Sequence, residues 1–443
     1  MKFIKKNLDV ESKQLLKNSS WVFFSNFNGI ALNVLRSIVI ARGLGAKTFG
    51  TYAIVVAFVG IIQEFLNLNL GTAIVKFGSV YRKEERTDKL GALIYQSLKI
   101  SGIMILISVF VVSLFTFISY ATFAHKAGLE LYIILYAVAA STRYFNSISS
   151  GVLRLYYKFR LNSVIQMIMD FVETASIVTV VLLYPRNLDA FFITVIIAAF
   201  LNGVICNWMA YWELRHELQH HLKSKLDLIK EDIKSVKTFV IGNSLGNSLK
   251  SVMAQGDVLV LGALAGPAQV AFYSVAKKIG YAILALTDPL VQSIFPQFSK
   301  LLAEKKFPET KKMLKKITLM ATYPCIAYVI ITLSMKRWLF VTIFGKEFLG
   351  SAEPFFYLLL SAVFSAITFW SLPLIISLGM VKLRLQVYMI AIIAGLAIAY
   401  FTIPHMHASG AALALLCMNL IINFTFIFKS YQKMNESHVN LVS

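Results

Sequence analysis

Charge, cysteine and extended polar stretches are scarce in this chain. Only 15% of its 443 residues are charged, 58% are hydrophobic and the mean hydropathy is +0.70. An ordinary soluble domain carries roughly 25% charged residues, so a soluble globular enzyme is excluded. The three cysteines, Cys206, Cys325 and Cys417, all lie in apolar stretches. They read as small core residues, which leaves neither a disulfide framework nor a CxxC metal site. No polar block is long enough for a separate soluble domain, and no Asp-x-Asp sugar-nucleotide string occurs.

What is present is a succession of apolar runs, each near the 20 residues that cross a bilayer as a helix. They fall at about 20–41, 51–76, 90–119, 129–151, 161–184, 188–212, 238–262, 269–298, 317–340, 351–377, 384–404 and 408–429. An all-α polytopic membrane protein with twelve transmembrane helices is expected. The first run follows a Lys-rich leader, lacks a small-residue cleavage site and reads as a retained helix. Net charge is +21, but the cations cluster between the apolar runs, where they set topology rather than bind nucleic acid. With cations at the span ends counted in the adjoining loops, 30 of the 43 Lys and Arg fall in one set of alternate loops, seven in the other and six within spans. That asymmetry predicts both termini in the cytoplasm.

The chain also repeats. A shift of 221 residues lays the segment from Gly45 to Ala53 on that from Gly266 to Ser274, and Phe77 on Phe298. A repeat crossing six helices implies two pseudo-symmetric six-helix bundles in the same orientation. The bundles are expected at residues 1–212 and 238–443, joined by a charged cytoplasmic linker helix over 213–237. Paired bundles place a substrate path between them, so transport is the default reading.

Charges retained at bilayer depth face a watery cavity or a partner. Asn243, Asn247, Lys250 and Asp257 share one helical stripe, as do Asn26, Asn33 and Arg36. The repeat sets Arg36 opposite Asp257, which predicts an ion pair across the midline. Lys277, Lys278 and Asp288 add charge to the eighth span, Arg143 to the fourth, Glu64 to the second, and Asp170 and Glu173 to the fifth. Tyr132, Tyr136 and Tyr281 are candidates for stacking on sugar rings. Three motifs are decoys. His216-Glu217-Leu218-Gln219-His220 has the HExxH zinc-protease spacing, but sits in the charged linker with no Gly-x-x-His continuation. Gly43 to Thr48 lacks the Gly before Lys47 that a phosphate loop requires. His405 and His407 alone do not make a metal site.

Ala41-Arg42-Gly43-Leu44-Gly45-Ala46-Lys47-Thr48-Phe49-Gly50-Thr51-Tyr52, with Leu70 to Phe77 after it, resembles the A-R-x-L-G-x-x-x-[FY]-G-x-Y signature of Wzx-type polysaccharide flippases. These form a branch of the multidrug/oligosaccharidyl-lipid/polysaccharide (MOP) exporter superfamily. Gly256 to Gly262, Phe272 to Lys278 and Phe295 to Leu301 resemble its second-half counterpart. The resemblance implies a MATE-like fold and movement of an undecaprenyl-pyrophosphate-linked oligosaccharide, for O-antigen, lipopolysaccharide or capsule, across the bacterial cytoplasmic membrane by alternating access. Arg36, Arg143, Lys250, Asp257, Lys277 and Lys278 are then the substrate-binding candidates. Glu64, Asp170, Glu173 and Asp288 are candidates for coupling to a proton or sodium gradient, with no other cofactor. The expected partners are the lipid-linked oligosaccharide, membrane lipid and other glycan-assembly proteins. A multidrug or organic-cation exporter of the same superfamily is the alternative, and a membrane glycan polymerase the more distant one.

Overall fold

The computed structural model describes residues 10–118, 130–218 and 232–442, and every regular element among them is helical. In order these are α1 (Val10–Leu66), α2 (Leu70–Lys83), α3 (Thr87–Ile118), α4 (Glu130–Ser141), α5 (Arg143–Leu155), α6 (Phe159–Leu183), α7 (Leu188–Leu218) and α8 (Ile233–Ala265). After them come α9 (Pro267–Gly280), a 3₁₀ turn (Tyr281–Ile283), α10 (Leu284–Ala303), α11 (Phe307–Ser334) and α12 (Lys336–Leu339). A π turn (Phe340–Phe344) and a 3₁₀ segment (Lys346–Ser351) then lead to α13 (Ala352–Ile367), α14 (Ser371–Ser377) and α15 (Val381–Val442). Eight stretches among the described residues are long and apolar enough to cross a membrane.

Two of those stretches exceed one crossing. Ser20–Lys83 has 64 residues and Lys382–Glu436 has 55, where about 20 suffice. Each contains a break: Gly45 at φ 78°, ψ 172° and His407 at φ 49°, ψ −123°. The Gly45 conformation is open essentially to glycine alone. Gly266, its counterpart 221 residues on, adopts φ 83°, ψ 176°. Positive φ recurs at three more such positions: Glu85 and Lys305, 220 residues apart; Tyr157 and Gly379, 222 apart; Arg186 and His407, 221 apart. The weak sequence repeat is thus written into the backbone, because a turn between antiparallel helices must reverse direction at the same helix length in both halves.

The chain divides into two compact units, Met1–Leu44 with Phe58–Ser251, and Gly45–Ala57 with Val252–Ser443. The expected linker region 213–237 lies largely outside the described residues, as does the end of the HExxH string. In the first unit α2, α3 and α5 pack through Leu70, Ile74, Leu90, Ile94, Ile148 and Val152. Small residues allow this: a Cβ on Gly71 would fall 1.9 Å from the Ser147 carbonyl oxygen, and one on Gly151 2.6 Å from Gly71 Cα. Such close backbone approach supplies the dispersion that joins helices in lipid. In the second unit Phe298, Phe340, Phe348 and Phe355 are fully buried. Segment 45–57 joins that unit through Phe49 edge-on to Phe348 and through the Glu347 carboxylate, which accepts the Ala46 N–H at 3.2 Å.

Apolar groups such as Leu106, Phe110 and Phe401 stay exposed, as lipid-facing surfaces do. Hydroxyls within the helices donate to carbonyls one turn back, among them Ser97, Thr116 and Thr332. Outside the apolar spans, Asp232 receives both the buried Lys89 ammonium and the Tyr81 hydroxyl at 2.9 Å. Hydrogen bonding from Lys89, aided by Tyr81, holds its carboxyl below the usual carboxylate range despite partial desolvation.

Two outcomes follow for stability. Gly266→Ala should lower unfolding stability by about 1–3 kcal/mol although nothing lies within 4 Å of the added methyl. Gly102→Ala, equally unhindered but mid-helix, should be neutral or stabilising; thermal unfolding in detergent checks both. Because the Asp232 pKa is depressed on folding, its contribution is complete above its unfolded value of roughly 4 and is lost as pH falls through the folded value. The acid-side fall of the melting midpoint should therefore be shallower in Asp232→Asn, from a lower starting point.

Candidate functional site

In the first unit the guanidinium of Arg36, on α1, meets the Glu173 carboxylate of α6 at 2.5 Å, with side chains 13% and 26% exposed. Asp170 lies one turn earlier on α6, and a Cβ on Gly29 would come within 3.2 Å of its carboxylate. The absence of a side chain at Gly29 lets that acid approach α1. Arg36, Asp170 and Glu173 therefore form one charged cluster. The expected pairing of Arg36 with Asp257 is corrected: Arg36 pairs with Glu173, and Asp257 takes its cation from the second unit. Helical phase had set charges at matching depths, but a neighbour within the same packed unit reaches each of them first.

A second polar feature of this unit is the seam between α2 and α8. The Lys76 ammonium sits 4.0 Å from the centre of the Phe239 ring. Asn243 Nδ2 donates to Thr72 Oγ1 at 3.1 Å, and further along α8 Ser248 Oγ donates to the Glu64 carbonyl at the end of α1 at 3.1 Å. The contacts step in opposite directions along the two chains, so the helices run antiparallel. Between α1 and α2 the chain leaves the helix at Asn67–Asn69; Asn69 is left-handed at φ 46°, and its N–H is capped by the Asn67 side chain. Lys250 is exposed on α8, and Arg143 is exposed where α5 begins after the interruption at Thr142. Glu64 is half-buried.

In the second unit Lys277 of α9 meets Asp257 of α8 at 2.5 Å, and the fully buried Tyr273 donates its hydroxyl to the same oxygen. Lys277 also donates to the Ala254 carbonyl at 2.8 Å, and the other Asp257 oxygen accepts the Val258 N–H at 2.8 Å. With all these partners the buried pair is well satisfied. Asp257 also borders a narrow cavity of about 40 Å³ whose walls are otherwise apolar, among them Val260, Ile392, Leu396 and Met418. Lys278 is half-buried beside it in sequence, and the Asp288 side chain lies outside the described residues.

The three tyrosines expected to stack on sugars are otherwise engaged. Tyr281 hydrogen-bonds Ser361 and Asn419, Tyr136 is buried, and Tyr132 stacks on Phe192 while donating to Asp189. Their apolar ring faces serve packing. Sequence reasoning missed Tyr273, whose spacing of four from Lys277 was the available signal, and Lys76, counted only as a loop cation. It also missed Glu347, which only the fold brings to the Gly45 turn.

The sequence profile of the family described as "Polysaccharide biosynthesis protein" matches residues 15–302. The chain belongs to that family. Inner membrane protein YghQ of Escherichia coli (strain K12) is 23% identical over 302 residues, 65% of this chain and 81% of that protein. Among solved structures, the lipid II flippase MurJ in an inward closed conformation aligns at TM-score 0.70 and 13% identity, over 96% of this chain and 91% of that one. An inward-facing multidrug resistance MATE family transporter of the MOP superfamily aligns at 0.68 and 13%, over 93% and 95%. The fold of this family member is that of the MATE/MOP transporters. It is a multi-pass membrane protein.

Removing one partner of a buried ion pair strands the other charge, at a cost of about 3–5 kcal/mol, whereas an apolar pair in its place is nearly neutral. Arg36→Met and Glu173→Leu should each lower the unfolding midpoint, and the double variant should recover most of the loss. A double-mutant cycle by thermal unfolding in detergent measures it.

Proposed function

We propose that the protein moves an undecaprenyl-pyrophosphate-linked oligosaccharide, a unit of O-antigen, capsule or exopolysaccharide, across the bacterial inner membrane by alternating access. The family match carries this reading. Exposed cations between apolar helices, Lys250 and Arg143, support it. A diphosphate headgroup cannot enter hydrocarbon unaided, and these side chains offer charge-assisted hydrogen bonds in place of water. The breaks at Gly45 and His407, together with paired shorter helices such as α4–α5 and α9–α10, accord with twelve crossings, and the loop cations put both termini in the cytoplasm in this reading. The halves 1–212 and 238–443, joined by 213–237, then supply the two moving bundles, with α8 as far as Ser251 travelling in the first unit and residues 45–57 in the second.

Of the substrate candidates, Lys250, Arg143 and Lys278 bind the diphosphate. Arg36, Asp257 and Lys277 act through the ion pairs that hold each unit together. Asp170 and Glu173, balanced by the single Arg36, couple transport to a proton or sodium gradient, with Glu64 and Asp288 as further carboxylates. An organic-cation exporter is the second reading, favoured by the likeness to the MATE structure. Bases about as numerous as acids within the spans, with Lys277 and Lys278 adjacent, weigh against it.

In a deletion strain, the wild-type chain should restore surface glycan. Lys250→Ala and Arg143→Ala should leave surface glycan low and lipid-linked precursor on the cytoplasmic side, at equal membrane expression. Normal surface glycan in the deletion strain, with no redundant flippase, would overturn the proposal and bring the cation exporter forward.

A further inference from the structure

Helices in lipid meet mainly through small or apolar side chains, yet the α2–α8 seam presents neutral groups that each donate and accept hydrogen bonds. Thr72 is exposed, and Asn243 and Asn247 are half-buried. Asn243 reaches Thr72 at 3.1 Å, while Asn247 makes no hydrogen bond among the described residues. Nearby, the Asn69 amide nitrogen is shut from solvent with no acceptor, at the point where the chain between α1 and α2 leaves the helix. A buried amide without a partner costs on the order of 1–3 kcal/mol. The Thr72 hydroxyl donates to the Asn69 carbonyl at 2.8 Å, so among the described residues Asn247 is the seam carboxamide left to receive a ligand hydroxyl.

Asn243, Asn247 and Lys250 fall on one stripe of α8, spaced four and three residues. Lys250 therefore stands about 10 Å along the helix from Asn243. Lys76 closes the other end of the seam, held over Phe239. Hydroxyl groups are the ligand that fits this set. They both donate and accept, as Asn and Thr side chains do, and a cationic ligand would meet an ammonium at either end.

We propose that the α2–α8 seam is a carbohydrate subsite, in which Thr72, Asn243 and Asn247 take sugar hydroxyls while Lys250 takes the anionic linkage. The subsite rests on the reading of the protein as a carrier of lipid-linked glycan, and it adds where the sugar itself is recognised. Recognition then depends on the length and hydroxyl pattern of the glycan, while the charge at Lys250 accepts any diphosphate.

The test uses the full-length protein in proteoliposomes with two probes: undecaprenyl diphosphate bearing the complete oligosaccharide from the source strain, and the same carrier bearing a single sugar. Transfer is read as protection of the sugar diols from external periodate. Asn243→Leu and Thr72→Val should slow the complete carrier about tenfold, the scale of one hydrogen bond lost, and leave the single-sugar carrier within about twofold. Lys250→Gln should slow both. Asn247→Ala removes no bond between helices and should reproduce the selective loss with an unchanged melting midpoint, which separates recognition from packing. Equal slowing of both carriers by the seam variants, or no slowing by Asn247→Ala, would overturn the subsite while leaving the transport reading intact. Failure of the wild-type protein to move either carrier would overturn that reading and the subsite with it.

Discussion

Hydrocarbon offers no hydrogen bonds, so every polar group carried into it must find a partner within the protein or line a wet cavity. That constraint accounts for the all-helical architecture and for the hydroxyls that donate to carbonyls a turn back. It also accounts for the ion pairs. Arg36 with Glu173, and Asp257 with Lys277 and Tyr273, are each closed inside a single packed unit. Lys250, which remains exposed on α8, stands out because so many of its neighbours are matched.

Charge thereby separates into two roles. Paired charges hold helices at a defined spacing, since removing one partner leaves an expensive buried ion. Exposed cations and neutral carboxamides can exchange water for a ligand. On this division Arg36 and Lys277 serve the scaffold, and the seam of α2 and α8, flanked by Lys76 and Lys250, is left to the carbohydrate subsite proposed above. The proposed transport needs both: rigid units that move as bodies, and a surface whose polar groups are satisfied by substrate during passage.

Glycine and its substitutes set where those units turn. Gly45 and Gly266 adopt a backbone conformation that a Cβ would strain, and Gly71 and Gly151 let α2 and α5 touch backbone to backbone. Much of this was legible beforehand. The repeat that aligned Gly45 with Gly266 reappears as matched positive φ angles, and the apolar runs at 161–184 and 188–212 match α6 and the first part of α7. Less legible were the interruptions at Asn67–Asn69 and Thr142, where no Pro or Gly stands: the Asn67 side chain caps the Asn69 N–H, and the Thr142 hydroxyl turns back to the Ala139 carbonyl. The role of Tyr281 was also hidden, because a ring that stacks on sugar and a ring that packs against Asn419 look identical in one dimension.

The sequence by itself determined the membrane class, the helical architecture and the internal repeat, because hydropathy and turn chemistry act over a few residues and survive without knowledge of neighbours. Only the tertiary structure decided which carboxylate takes Arg36, how closely Asp170 approaches Gly29, and how Glu347 comes to cap the turn at Gly45. Those outcomes depend on distances of a few ångströms between segments separated by as many as 301 residues, and Coulomb and hydrogen-bond energies fall too steeply with distance for helical phase alone to choose among candidates.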